Sequence, residues 1–176
     1  MTPAALLDAM PTDRRMETVD ERLVRAPLTT MFALAADVEQ WPRHLPHYRY
    51  VRFRERWPDG GGVVEMSANR PFGPFDWPTW WTSHMRVTPL GAPAAPTIRY
   101  RHVAGVTTGM DVAWTFEPAV EGTRVRIVHV WNGPPVPLIG PLAAQAVIGP
   151  VFVHGIAART LAGLAGVAER SFTRDL

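Results

Sequence analysis

The chain ends in a long stretch with the period of a helix, and that stretch follows a series of segments with the period of a strand. From Leu142 to Phe172 the one paired breaker is Gly149-Pro150, and Val153, Ile156, Ala157, Thr160, Leu164 and Val167 recur at three- and four-residue steps. That spacing marks one face of a helix. Arg159, Glu169 and Arg170 fall away from the stripe. A helix with so modest an apolar face is not stable alone in water, so it needs the preceding strands as a surface to lie on. Pro150 admits two readings. It stands in the first turn of the main helix, where a missing N–H is tolerated, or it breaks the chain after a short helix over 138–148. The break is the preferred reading.

The strands are read from alternation. Residues 17–25 form a strand of ambiguous face. Leu28 to Ala36 reads as a short helix with Met31, Phe32, Leu34 and Ala35 on one side. Asp37 suits the N-cap of a second short helix, Val38 to Leu45, on which Trp41 and Leu45 share a face. Period two then takes over. His47 to Trp57 sets Val51 and Phe53 against Arg52, Arg54 and Arg56, a solvated stripe, and Pro58 to Gly62 is a turn. Val63 to Arg70 returns with Val64, Met66 and Ala68 on one face, to which parity adds Arg70. A loop rich in aromatics, Pro71 to Pro78, is followed by a strand with Trp81, Ser83, Met85 and Val87 on one face. Three more strands carry Ile98, Tyr100 and His102, then Met110, Val112, Trp114 and Phe116, then Val125, Ile127, His129 and Trp131. Hairpin connections imply an antiparallel sheet. One apolar face and one long helix imply an α+β grip: a curved antiparallel sheet of about seven strands wrapped around the C-terminal helix, with two short helices after strand 1. Residues 1–16 read as an extension and 17–172 as one domain. A cavity is expected between sheet and helix.

Composition narrows the function. Eighteen Lys and Arg against sixteen Asp and Glu give a net charge of +2 with no basic run, which argues against nucleic acid. The absence of cysteine excludes disulfides, thiolate metal sites and a cysteine nucleophile. No basic segment leads into an apolar run at the N-terminus, and no apolar stretch reads as a membrane span. A cytoplasmic protein is expected; Phe72, Phe75, Trp77 and Trp80 read as a lid over the cavity mouth, with peripheral membrane or partner contact left open. His44 and His47 lack a third ligand, so no metal is expected, and no cofactor. Ser83 has no His/Asp partners at a recognisable spacing. Gly60-Gly61-Gly62 precedes a strand and not a helix, so it is a turn and not a phosphate loop. The oligomeric state is not legible.

Three segments carry a resemblance. Asp37-Val38-Glu39-Gln40-Trp41-Pro42 with Tyr48, Trp81-Thr82-Ser83-His84, and Gly109 to Phe116 resemble motifs of the bacterial polyketide aromatase/cyclases. These belong to the START-like, or SRPBCC, superfamily of polyketide cyclase/dehydrases, lipid-transfer domains and the birch-pollen allergen (Bet v 1). The Asp37 to Tyr48 segment also resembles coenzyme Q-binding proteins of that superfamily. The likeness covers about 17–170 and implies a helix grip that holds a hydrophobic small molecule. One departure stands out. The best-studied aromatase/cyclases carry a cavity arginine directly after the "W-x-S-H" run, where this chain has Met85. Arg86 comes next, and adjacent strand residues face opposite ways.

Two functions follow from the resemblance. A carrier of a lipid, quinone or polyketide-like molecule needs only the cavity. A cyclase, aromatase or dehydratase must also fold the chain in place, take a proton from a methylene between carbonyls, and stabilise the oxygen that becomes charged. His129, His102 or Tyr48 are candidates for the proton and Arg70 for the oxygen. The ligand-binding set is Met66, Arg70, Trp81, Ser83, Met85, Tyr100, His102, Met110, Val112, Trp114, His129, Trp131, Ile156 and Thr160. The carrier is preferred, because the cavity arginine is missing.

Overall fold

The computed structural model describes residues 7, 9–72, 75–133 and 150–174; the side chains of 70–72, 75–76 and 150–154 lie outside that description. Seven strands form one sheet: β1 (Met16–Val24), β2 (Tyr48–Arg56), β3 (Gly62–Phe72), β4 (Phe75–Thr88), β5 (Thr97–Gly105), β6 (Asp111–Ala119) and β7 (Gly122–Trp131). Their order is β1-β7-β6-β5-β4-β3-β2, with every neighbouring pair antiparallel. The chain starts at one edge and passes through α1 (Leu28–Ala36), a 3-10 turn (Val38–Gln40) and α2 (Trp41–His44). It then enters the other edge and returns strand by strand until β7 meets β1. The long helix α3 (Pro150–Arg174) packs against β1 and α1 and reaches α2 and β3. A curved sheet around one helix is the grip anticipated from sequence.

The alternation sorted the two sheet faces well from β3 to β7. Val64, Met66, Ala68, Trp81, Met85, Ile98, Tyr100, Val112, Trp114, Phe116, Val125 and Ile127 are all in the buried core on the concave side. Met85 is fully buried there, whereas Arg86 sits opposite Arg99 on the convex side. On β1 the face is now fixed. Thr18 and Asp20 pair with His129 and Ile127 and face inward, which leaves Val19 and Leu23 exposed.

Three expectations need correction. The loop placed over 71–78 is a hairpin end: β3 runs on to Phe72 and β4 starts at Phe75, with Arg70 opposite Trp77. Asp37 makes no side-chain cap, and the second helix is a 3-10 turn followed by one α-turn, which Pro42 at its start favours. The buried face of α3 also lies slightly round from the expected stripe. Ala157, Thr160, Leu161, Leu164, Ala165 and Ala168 are buried, while Ile156 and Val167 are half-buried. The short helix expected over 138–148, and with it the choice between the two readings of Pro150, lies outside the described residues.

Candidate functional site

Between the concave face and α3 lies a cavity. Its atom-free volume, open mouth included, is about 550 Å³. Trp41, Trp81 and Trp114 form much of the wall, with Met66, Met110, Val112, Ile127, Ile156 and Ala157 between them. Among the described wall residues none carries a permanent charge.

A β-bulge brings Tyr48 to this wall. Simple alternation would place Tyr48 with Tyr50 and Arg52 on the convex face. The register shifts between Tyr48 and Tyr50, so Tyr48 opposes Ala68 and Tyr50 opposes Ser67. One extra residue in β2 therefore re-aims Tyr48 inward. Its ring packs edge-on against Trp41 at 5.3 Å and Trp81 at 6.2 Å. Trp41 also meets Trp114 at 5.7 Å and donates its indole N–H to the Leu34 carbonyl at 3.1 Å, which ties α2's start to α1.

The polar groups come in separate sets. On the helix side, Thr160 donates to the Tyr48 hydroxyl at 3.4 Å, and His47 Nε2 lies 3.2 Å from Thr160 Oγ1. Burial, and then the charge of Arg159, lower the pKa of His47 and favour the neutral ring. Near β5's end, His102 stacks on Trp81 at 5.9 Å, and its Nδ1 lies 2.5 Å from Thr107 Oγ1. The backbone turn that carries Thr107 follows Gly105, whose φ of +94° and close approach to the Trp80 carbonyl leave no space for a Cβ. At the β1 edge, Thr18 Oγ1 is 3.5 Å from His129 Nδ1. In the centre of the sheet stands Tyr100, 4% exposed, with its hydroxyl buried and without a hydrogen-bond partner among the described residues. Burial, reinforced by Tyr48, raises its pKa well above the ordinary phenol value, so it stays a neutral O–H.

Of the residues expected at the cavity, Tyr48, Met66, Trp81, Tyr100, His102, Met110, Val112, Trp114, His129, Ile156 and Thr160 line it. Ser83 and Met85 face the same side of the sheet but are wholly buried in its packing and off the wall. Trp131 is also buried away from the wall, with its indole N–H donated to the Thr108 carbonyl at 3.0 Å. The Arg70 side chain lies outside the described residues. Sequence reasoning did not place Trp41, Thr107, Ile127 or Ala157 at the wall. Parity had put Ile127 on the inward face, which was a usable signal; Thr107 is in a turn, where no periodicity points anywhere. Among the described residues no three His, Asp or Glu side chains form a metal cluster, and no helix is long and apolar enough to cross a membrane.

The fold recurs among solved structures. The chain is similar to the Zhui aromatase/cyclase of Streptomyces sp. R1128, with a TM-score of 0.73 and 21% identity over 88% of this chain and 94% of that one. A protein of Thermus thermophilus aligns with a TM-score of 0.72 and 20% identity, over 89% and 99% of the two chains. A START superfamily protein of Mycobacterium smegmatis aligns with a TM-score of 0.62 and 17% identity, over 88% and 97%. No curated protein sequence matches the chain. The coenzyme Q-binding likeness rests on sequence motifs alone. The model of a family described as "Polyketide cyclase / dehydrase and lipid transport" matches residues 24–151, and the chain belongs to that family.

Proposed function

We propose that this protein is a carrier that takes up a hydrophobic small molecule – a lipid, quinone or polyketide-like compound – in the cavity between its sheet and α3. The observation that supports this reading most strongly is the wall itself: three tryptophans and aliphatic side chains, with neutral polar groups and no permanent charge among the described residues. Apolar pockets with a few placed polar groups are the ordinary form of a small-molecule site. The position that holds a cavity arginine in the best-studied cyclases is the buried Met85 here. The test uses the neutral fluorescent probe N-phenyl-1-naphthylamine. Wild-type protein is expected to bind it saturably at one site. Ala157→Phe, which fills the cavity from α3, should weaken binding at least about tenfold with the circular dichroism unchanged. Equal binding by a folded Ala157→Phe protein would overturn the reading.

A cyclase or dehydratase is the second reading, and the linked hydroxyls of Tyr48 and Thr160 beside His47 favour it, since they present a polarised phenol to the cavity. His129, Tyr48 and Arg70 are its candidate catalytic residues. Replacing His129 by Ala leaves a carrier's affinity nearly unchanged; an enzyme using it as a base loses at least ~10²-fold in turnover.

A further inference from the structure

Tyr100 is anomalous among the polar groups of the cavity wall. The other tyrosine there, Tyr48, receives a hydrogen bond from Thr160, and both wall histidines lie beside a threonine hydroxyl. Tyr100 has none of this, although its residue is 96% shielded from solvent and its ring forms part of the wall. Its strand neighbours explain why. Met85 and Val112 oppose it on β4 and β6, so cross-strand contacts offer only apolar surface. A buried hydroxyl without a partner costs more than a hydrogen bond contributes, and nearly all such groups in native proteins are satisfied. Phenylalanine would fill the same space at no such cost. Since no protein group among the described residues pairs with it, its partner has to come from the cavity.

Resting on the carrier reading above, we propose that Tyr100 is a specificity-determining residue: its phenolic O–H donates to a neutral acceptor oxygen of the bound molecule. The site then selects a ketone, quinone or phenol over a hydrocarbon of the same shape. Because the phenol stays protonated across the ordinary pH range, it acts as a donor and not as an anion. A site built to hydrogen-bond a ligand oxygen discriminates against the analogue that lacks it, because its own buried group is then left unpaired.

Two probes with one carbon skeleton test this: 1-tetralone, which carries a ketone, and tetralin, which does not. Binding is followed by quenching of tryptophan fluorescence. Wild-type protein should bind tetralone about tenfold or more tighter than tetralin. Tyr100→Phe should bind the two equally, bind tetralin no more weakly than the wild type does, and unfold at the same or a higher temperature. Equal binding of both probes by the wild type, or a tetralone preference that survives in Tyr100→Phe, overturns the role of Tyr100 and leaves the carrier reading intact. A Tyr100→Phe protein that loses stability and both affinities together shows a structural hydroxyl and also overturns it. Failure of both probes to bind the wild type removes the carrier reading and this inference with it.

Discussion

The two faces of the sheet use the same strands for opposite chemistry. The concave face is aromatic and aliphatic, the polar groups at its cavity wall are neutral, and one of them is left without a partner. On the convex face several charges pair locally. Arg52 and Arg54 both fork onto Glu65, at 2.6 and 2.5 Å; Arg56, expected in the same solvated stripe, is turned by a second irregularity in β2 onto the face of Phe53, where it bonds Glu39. Arg101 donates to both oxygens of Asp111, at 2.8 and 3.1 Å, and Arg14 lies 3.9 Å from the same carboxylate. The cavity wall carries no permanent charge among the described residues, and it keeps one hydroxyl that a small molecule can complete. Alternation at period two creates this division, and the bulge at Tyr48 is the local exception that sends a polar group inward.

The sharpest way to break the comparison is to empty the concave wall. Trp114→Ala removes a buried ring packed against Trp41 and Phe116 and should cost about 3–5 kcal/mol in denaturant unfolding. A loss under about 1 kcal/mol would mean that the wall does not hold the fold. On the convex side the largest effect should come from Asp111→Asn. Asp111 is only 1% exposed, but Arg101 is partly in water and can rehydrate, so the expected loss is about 1–3 kcal/mol. The smallest effect is the pH dependence of Glu65. Its pKa falls to about 2, first through the hydrogen bond from Arg54. A carboxylate with a depressed folded pKa stabilises the protein above its unfolded value of 4.5, and that contribution is lost as pH falls from 4.5 toward 2. Both arginines are about half exposed, so screening keeps the loss below about 1 kcal/mol. Glu65→Gln should flatten this part of the acid limb and leave stability between pH 5 and 8 with no slope of its own.

How much of this was legible follows from what periodicity can report. Strands with strict alternation, such as β6, gave their inward residues and their place in the order, although β6 was read over 109–117 and runs over Asp111–Ala119. Asp111 shows the limit: parity put it correctly on the outer face, but parity says nothing about Arg14 arriving from the N-terminal segment and helping to bury it. The β3–β4 end was misread because Pro71 and Pro78 look like breakers, yet both lie in the pairing register of this hairpin. Within the cavity, the side chains on strands were mostly found. Trp41 was read only as sharing a helix face with Leu45 and proved to line the wall as well, because that depends on how α2 is seated and not on spacing. The missing partner of Tyr100 was invisible for the same reason: a hydrogen bond that is absent leaves no trace in sequence.

The tryptophans allow one direct measurement of where a ligand goes. Trp41, Trp81 and Trp114 line the cavity, whereas Trp77 and Trp80 are 65% and 50% exposed at the β3–β4 end and Trp57 faces His84 on the outer side. Protein labelled with 5-fluorotryptophan would be titrated with 1-tetralone and followed by fluorine NMR, each resonance assigned by single substitution to Phe. Binding in the cavity predicts that the resonances of Trp41, Trp81 and Trp114 shift saturably while those of Trp57, Trp77 and Trp80 stay in place. Shifts confined to Trp77 and Trp80 would put the ligand at the exposed β3–β4 end and contradict the account.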